Sequence, residues 1–295
     1  MLHSCATRWL VGVCLLAAAG CAPTPYHYSS FPGLHPAGPT PQTVEVVYGK
    51  PNKTLDRLGW IVGLPDRILP MSSKINNHQI SQATTDKLKE YLAKNDLTDV
   101  YVCVNYYDPR GQWRRLRANK LIRPGWRYTL GSLSMLSYSI LPGRIFGGDE
   151  YNPYTNSLYI NSDVAALVLH EAAYAKDLRG RKAPGMYAAV NDLPVVGLWR
   201  ETRGLNDVLG YARTEHDWDL ERETYHVLYP RMGIETMTSA VAFVPMWWSG
   251  PAFGVVGAAA GHTAGRTLAA RREKQLGRDA PPEEKSAAEI QLTGH

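Results

Sequence analysis

The stretch from Asn156 to Asp177, NSLYINSDVAALVLHEAAYAKD, constrains this chain more than any other. Ser157 to Ile160 is β-branched and aromatic and is bounded by Asn152-Pro153 and Asn161-Ser162, which predicts a short strand. Ser162 or Asp163 then stands where a side chain can accept from the first free N–H groups of a helix. Val164, Leu167, Val168, Glu171 and Ala175 recur at helical spacing, so a helix is expected over 163–177. Residues four apart on a helix are turned by about 40° from each other, which places His170 and Tyr174 on one face. Glu171 stands about 100° round from His170, beside that face.

In an H-E-x-x-H helix, two histidines hold zinc from one face and the glutamate activates the bound water. Here the second histidine position is Tyr174. A neutral imidazole binds zinc at neutral pH, whereas a phenol must first lose a proton with a reference pKa of about 10. A tyrosine oxygen ligates a metal only where its phenolate is stabilised. The other reading of these residues is architectural: Tyr174 packs, and His170 and Glu171 satisfy neighbouring polar groups.

The run HEAAYAKD resembles the H-E-x-x-H-x-x-D helix of zincin metallopeptidases of the gluzincin type. In that family a strand lies just before the helix, and a Glu from a later helix completes the site. The resemblance implies zinc as cofactor, His170 as first ligand, Glu171 as catalytic base and Asp177 as the carboxylate after the motif. Tyr174 takes the place of the second ligand. By the same analogy Glu201, on a helix expected over Trp199–Arg213, is the third ligand. Asn206 or Asp207, further along that helix, would orient His170 by accepting its other N–H. The competing reading makes Glu201 an ordinary residue of an amphipathic helix. Glu215-His216-Asp217 is a rival donor cluster at a helix start, where acidic residues are expected in any case. The segment FGGDEYNPYTN, Phe146 to Asn156, is similar, together with the helix, to bacterial envelope proteins to which no activity is attached.

The N-terminus points to a compartment. Arg8 precedes an apolar run from Trp9 to Ala19, followed by Gly20-Cys21, and reads as a secretory signal over 1–20. The ending AAGC resembles a bacterial lipobox, whose cleavage leaves Cys21 as an acylated first residue. Cys5 and Cys14 would leave with the signal, so Cys103 would have no partner for an intramolecular disulfide. Residues 21–41, rich in Pro, Ser, Gly and His, read as an extended tether. The expected location is the cell envelope, with the body outside the cytoplasm and two or more acyl chains for stable anchoring.

At 295 residues, 44% hydrophobic and 20% charged, the chain can bury a sizeable core and is not a disordered one. Its net charge of +5 is modest and scattered, which argues against a nucleic-acid partner. The expected architecture is α+β over residues 42–236, with a zincin-like core. Strands at about 100–106, 126–130 and 157–160 form a small sheet covered by helices. Asp108–Gly111 is expected as a turn. Helices are also expected over 81–95 and 217–229, the last ended by Pro230.

Ser239 to Gly261 has no charge and is long enough to span a bilayer as a helix. Gly250, Gly254, Gly257 and Gly261 have the small-xxx-small spacing of close helix packing. Arg266, Arg271, Arg272 and Lys274 would then lie on the cytoplasmic side. Pro245 and Pro251 interrupt the run, so a helix buried in the domain or a hairpin in the membrane are alternatives. Residues 262–295 read as a basic, then disordered tail. Together these features imply a membrane-anchored lipoprotein with an inactive or atypical metallopeptidase-like domain. Its partner would be a peptide or protein along strand 157–160. The alternative is a structural or binding envelope protein with no metal site.

Overall fold

The computed structural model describes residues 25–31, 43–50, 52–141, 143–191, 193, 196–242 and 249–279. The expected signal segment, residues 1–20, and Cys21 lie outside the described residues. The chain opens with β1 (Val46–Tyr48), α1 (Lys53–Val62), α2 (Leu64–Ile68), α3 (Gln82–Lys94) and β2 (Tyr101–Val104). Next come α4 (Pro109–Ala118), α5 (Pro124–Tyr128), α6 (Leu130–Ile140), α7 (Gly143–Phe146), β3 (Glu150–Asn152) and β4 (Ser157–Ile160). The remainder is helical: α8 (Ala165–Arg179), α9 (Pro184–Asn191), α10 (Gly197–Thr214) and α11 (Trp218–Glu223). A π-helical turn (Thr224–Leu228) leads to α12 (Tyr229–Ala240) and α13 (Ser249–Asp279).

The fold is α+β. Four strands form one mixed sheet in the order β1-β2-β4-β3, parallel except for the antiparallel edge strand β3. The pleat sorts the two faces. Tyr159 stacks on Tyr138 of α6, and Ser157 Oγ donates to Gln112 of α4, so α4 and α6 cover one face. Val102, Leu158 and Ile160 turn to the other, where they join the core with α3 and α8. Helix α8 has no solvent side from Ala165 to Ala175, the burial pattern of a central helix.

Several local expectations are corrected. Residues 126–130 are not a strand. Pro124 takes the first turn of α5, where its missing N–H costs no hydrogen bond, and the chain runs on into α6. Asp108–Gly111 is a helix start rather than a turn: Asp108 caps α4 by accepting from Gly111 N at 3.0 Å. Pro230 does not end the helix before it. The π-helical turn widens the coil at that point, and Pro230 stands in the first turn of α12. Strand β4 has neighbours on both sides, β2 and β3, so it offers no open edge to a partner.

The stretch over 239–261 is not one spanning helix. α12 ends at Ala240 and α13 begins at Ser249, while residues 243–248 lie outside the described residues. The two helices lie antiparallel with their backbones touching: Gly233 on Gly257, Gly261 on Tyr229 and Pro230, Gly265 on Tyr225. Glycine in a helix interior costs about 1 kcal/mol relative to alanine, so a stripe of it is favoured only where backbones must meet. The supposed tail from 262 is helical as far as Asp279, and 280–295 lie outside the described residues. Among the described residues, no helix is long and apolar enough to cross a membrane.

The supposed tether is docked where it is described. Tyr26 donates its hydroxyl to Asn95 at 2.9 Å and meets Tyr211 edge-on, ring centroids 5.7 Å apart. Phe31 N donates to Asp96 at 2.6 Å, and the Tyr28 hydroxyl reaches Glu215. Residues 32–42 lie outside the described residues.

The helical hairpin gives a direct test. A Cβ on Gly261 would fall 2.6 Å from Pro230 Cα, so Gly261→Ala should lower stability by about 1–3 kcal/mol through overpacking. Gly277→Ala, where a Cβ meets nothing within 4 Å, should not lower it. The urea midpoints of the two variants decide.

Candidate functional site

Strand β4 leads into α8, and α10 returns against the same helix, so side chains from both helices meet in a buried layer. His170, Glu171 and Glu201 are each at least nine-tenths buried. His170 lies between the two carboxylates. Its Nε2 is 3.5 Å from Glu201 Oε2, and its Nδ1 is 3.5 Å from Glu171 Oε1. Nε2 is also 3.1 Å from the backbone carbonyl oxygen of Glu201. A carbonyl only accepts, so Nε2 carries the proton and donates.

This approach depends on a glycine. A Cβ on Gly204 would sit 2.8 Å from both Cδ2 and Nε2 of the imidazole. The His170 ring therefore rests directly on the backbone of α10, one turn after Glu201.

Two guanidinium groups balance the carboxylates. Arg200 donates to Glu201 through Nε at 3.0 Å and through Nη2 at 2.5 Å. Arg231, from α12, comes within 3.6 Å of Glu171. Burial alone would lower the His170 pKa, but Glu201 and Glu171 outweigh it, and the imidazole titrates above its ordinary value. Burial opposes ionisation of both carboxylates. His170 and the two arginines prevail, lowering Glu171 and holding Glu201 down at about 2. Burial pushes Glu235 and Asp149 upward. Asp149 accepts from the N–H groups of Asn161 and Ser162 at 2.7 and 3.0 Å, which fixes the link from β4 to α8.

The cluster is reached from outside through a cavity of about 430 Å³ lined by Asn191, Arg200, Glu201, Glu235 and Thr238. Arg200 also borders a smaller cavity, about 230 Å³, between β3, α6 and Tyr174. Tyr174 is engaged through its ring: edge-to-face with Tyr151, centroids 5.6 Å apart, with the Arg200 guanidinium 4.8 Å from its centroid.

The structure brings His170, Glu171 and Glu201 together and places the remaining expected site residues elsewhere. Asp207 binds Lys176 at 2.7 Å and accepts from the Tyr91 hydroxyl, so it does not orient His170. Asn206 lies on the face of α10 that borders the N-terminal segment. Asp177 is held by Arg181 at 2.6 Å and Arg203 at 2.8 Å. Glu215 pairs with Lys94, and Asp217 caps α11. The expectation missed Arg200 and Arg231. Arg200 adjoins Glu201 in sequence, but Arg231 carries no local sign of its role.

Zinc does not fit this arrangement. The carboxylates stand at opposite nitrogens of one imidazole and do not converge on a common point. Nε2 is occupied as a donor, and Gly204 closes the space in front of it. Two arginines already balance the charge that a dication would meet. Among the described residues, no group of three or more His, Cys, Asp or Glu side chains is placed to hold a metal ion.

Set against known proteins, the chain matches no family model, no curated protein and no solved structure.

Substitutions at Gly204, His170 and Glu201 test the cluster. Alanine normally improves a helix interior, but Gly204→Ala should cost about 1–3 kcal/mol here, because it drives a methyl group into the imidazole. Adding His170→Ala should recover part of that loss in a double-mutant cycle read by urea unfolding. Glu201→Gln should cost about 3–5 kcal/mol at neutral pH by leaving Arg200 unbalanced. Because the folded pKa of Glu201 lies below the ordinary 4.5, its contribution is present above that value and fades as pH falls toward about 2. The stability gap between the two proteins should close over that interval.

Proposed function

We propose that this chain is a lipid-anchored bacterial envelope protein, acylated at Cys21, whose zincin-type helix pair carries a metal-free ionic core. On this reading it acts by binding a peptide or protein partner and not by hydrolysis. A strand running into the HEAAY helix, and a later-helix Glu beside His170, support descent from a zincin. The departure from catalysis rests on one observation: the Nε2 that would bind zinc donates to the Glu201 carbonyl and abuts Gly204. Glu171, the base of a peptidase helix, is paired instead with His170 and Arg231.

A partner would meet the cleft between β3 and α6, where Tyr174 and Arg200 stand, because β4 is internal. Arg200, whose Nε and Nη2 are held by Glu201, fixes one wall of that cleft, and the Tyr174 ring beneath its guanidinium fixes another.

Metal analysis and a cleavage assay decide. The purified chain should carry no stoichiometric zinc, and Glu171→Gln should cost about 1–3 kcal/mol in stability without altering cleavage of an unfolded test protein. One zinc per chain, or cleavage that disappears in Glu171→Gln, overturns the reading.

A further inference from the structure

Helix α9 is built inside out. Gly185, Ala188 and Asn191 face the body, while Met186 and Val190 are 55% and 42% exposed. Val196 and Trp199, at the start of α10, are also exposed, Trp199 by 52%. Lys182 is exposed in the loop just before α9, and Arg203 sits beside Trp199, its guanidinium 5.9 Å from the ring while its Nε holds Asp177 at 2.8 Å. Exposed aliphatic residues with a tryptophan and a flanking cation have the composition of a membrane-interface element.

The N-terminal segment indicates what covers it. Tyr28 reaches Glu215 near the end of α10, and Tyr26 lies on Gly210, so toward its start the segment runs along α10 in the direction of Trp199. Pro25, Trp199 and Arg203 border one cavity of about 780 Å³. Pro25 is four residues after Cys21, and four extended residues reach at most about 14 Å. An acyl anchor on Cys21 therefore keeps the side of the protein that carries Pro25 and Trp199 near the bilayer.

We infer that α9 and the start of α10 dock on the lipid surface, with Met186, Val190 and Trp199 entering the headgroup region and Lys182 meeting lipid phosphates. The docking depends on the anchor reading above for its orientation, and on the outward apolar face for its contact. The protein is then a monotopic one, held at two adjacent places on one side.

Hydroxyl-radical footprinting of the full chain, with and without phosphatidylglycerol vesicles, tests this on native side chains. Oxidation of Met186 and Trp199 should slow by roughly tenfold on vesicle binding, while Met71, 71% exposed on the loop after α2, reacts at an unchanged rate. Met186→Glu with Val190→Glu should remove the protection, weakening vesicle binding at least about tenfold in the lipid-free chain. Intact-mass analysis reports separately on acylation at Cys21. An acylated, vesicle-bound chain whose Met186 stays fully reactive, or whose Met71 is equally protected, overturns the docking while leaving the anchor standing. A chain without acyl groups overturns the anchor. For that chain, protected Met186 still supports the docking face, and unprotected Met186 overturns it as well.

Discussion

The contact on which the domain turns is between an imidazole edge and a helix backbone. His170 reaches across from α8 and donates to a carbonyl of α10, and the missing side chain at Gly204 is what lets it come so close. With that distance set, the carboxylate of Glu201 and that of Glu171 have to share the same buried space. Arg200 and Arg231 are then required, because two buried carboxylates beside one histidine leave an excess of negative charge. α12 is tied to α8 through Arg231, although the two are distant in the chain.

Backbone contact through glycine recurs between α12 and α13. The same residue type does two jobs here: at Gly204 it admits a polar ring, and at Gly233, Gly257, Gly261 and Gly265 it admits another backbone. Both are close approaches that any methyl group would prevent. Such stripes raise the apolar content of a sequence without adding large side chains, so a hydropathy profile and a packing interface look alike in this region.

What could be read from the sequence was what depends on near neighbours. Ser81 capping α3, the strand at Ser157–Ile160 and the helices bearing His170 and Glu201 follow from spacing and caps within a few residues. The meeting of His170 with Glu201 was legible only through the family resemblance, since nothing in the intervening residues encodes it. Trp126 and Tyr128 carry strand preference, yet a proline at a helix start overrode it. Asp163 looked like the cap of α8 because it precedes that helix, but it accepts from Ser81 and Thr84 of a different element. Arg231 and Glu223 act on α8 from well beyond it, and such long-range pairings leave no periodic trace.

Glu223 carries one more implication. Neither Ser162 nor Asp163 closes the start of α8. The free N–H of Ala166 is met by Glu223 at 2.8 Å, across 57 residues of chain. A chain made from its N-terminus presents α8 well before that carboxylate has been added. Throughout that interval the longest buried helix beside the sheet has an unsatisfied end, and final locking of the centre must follow delivery of α11. The order of synthesis is in this way written into a single hydrogen bond.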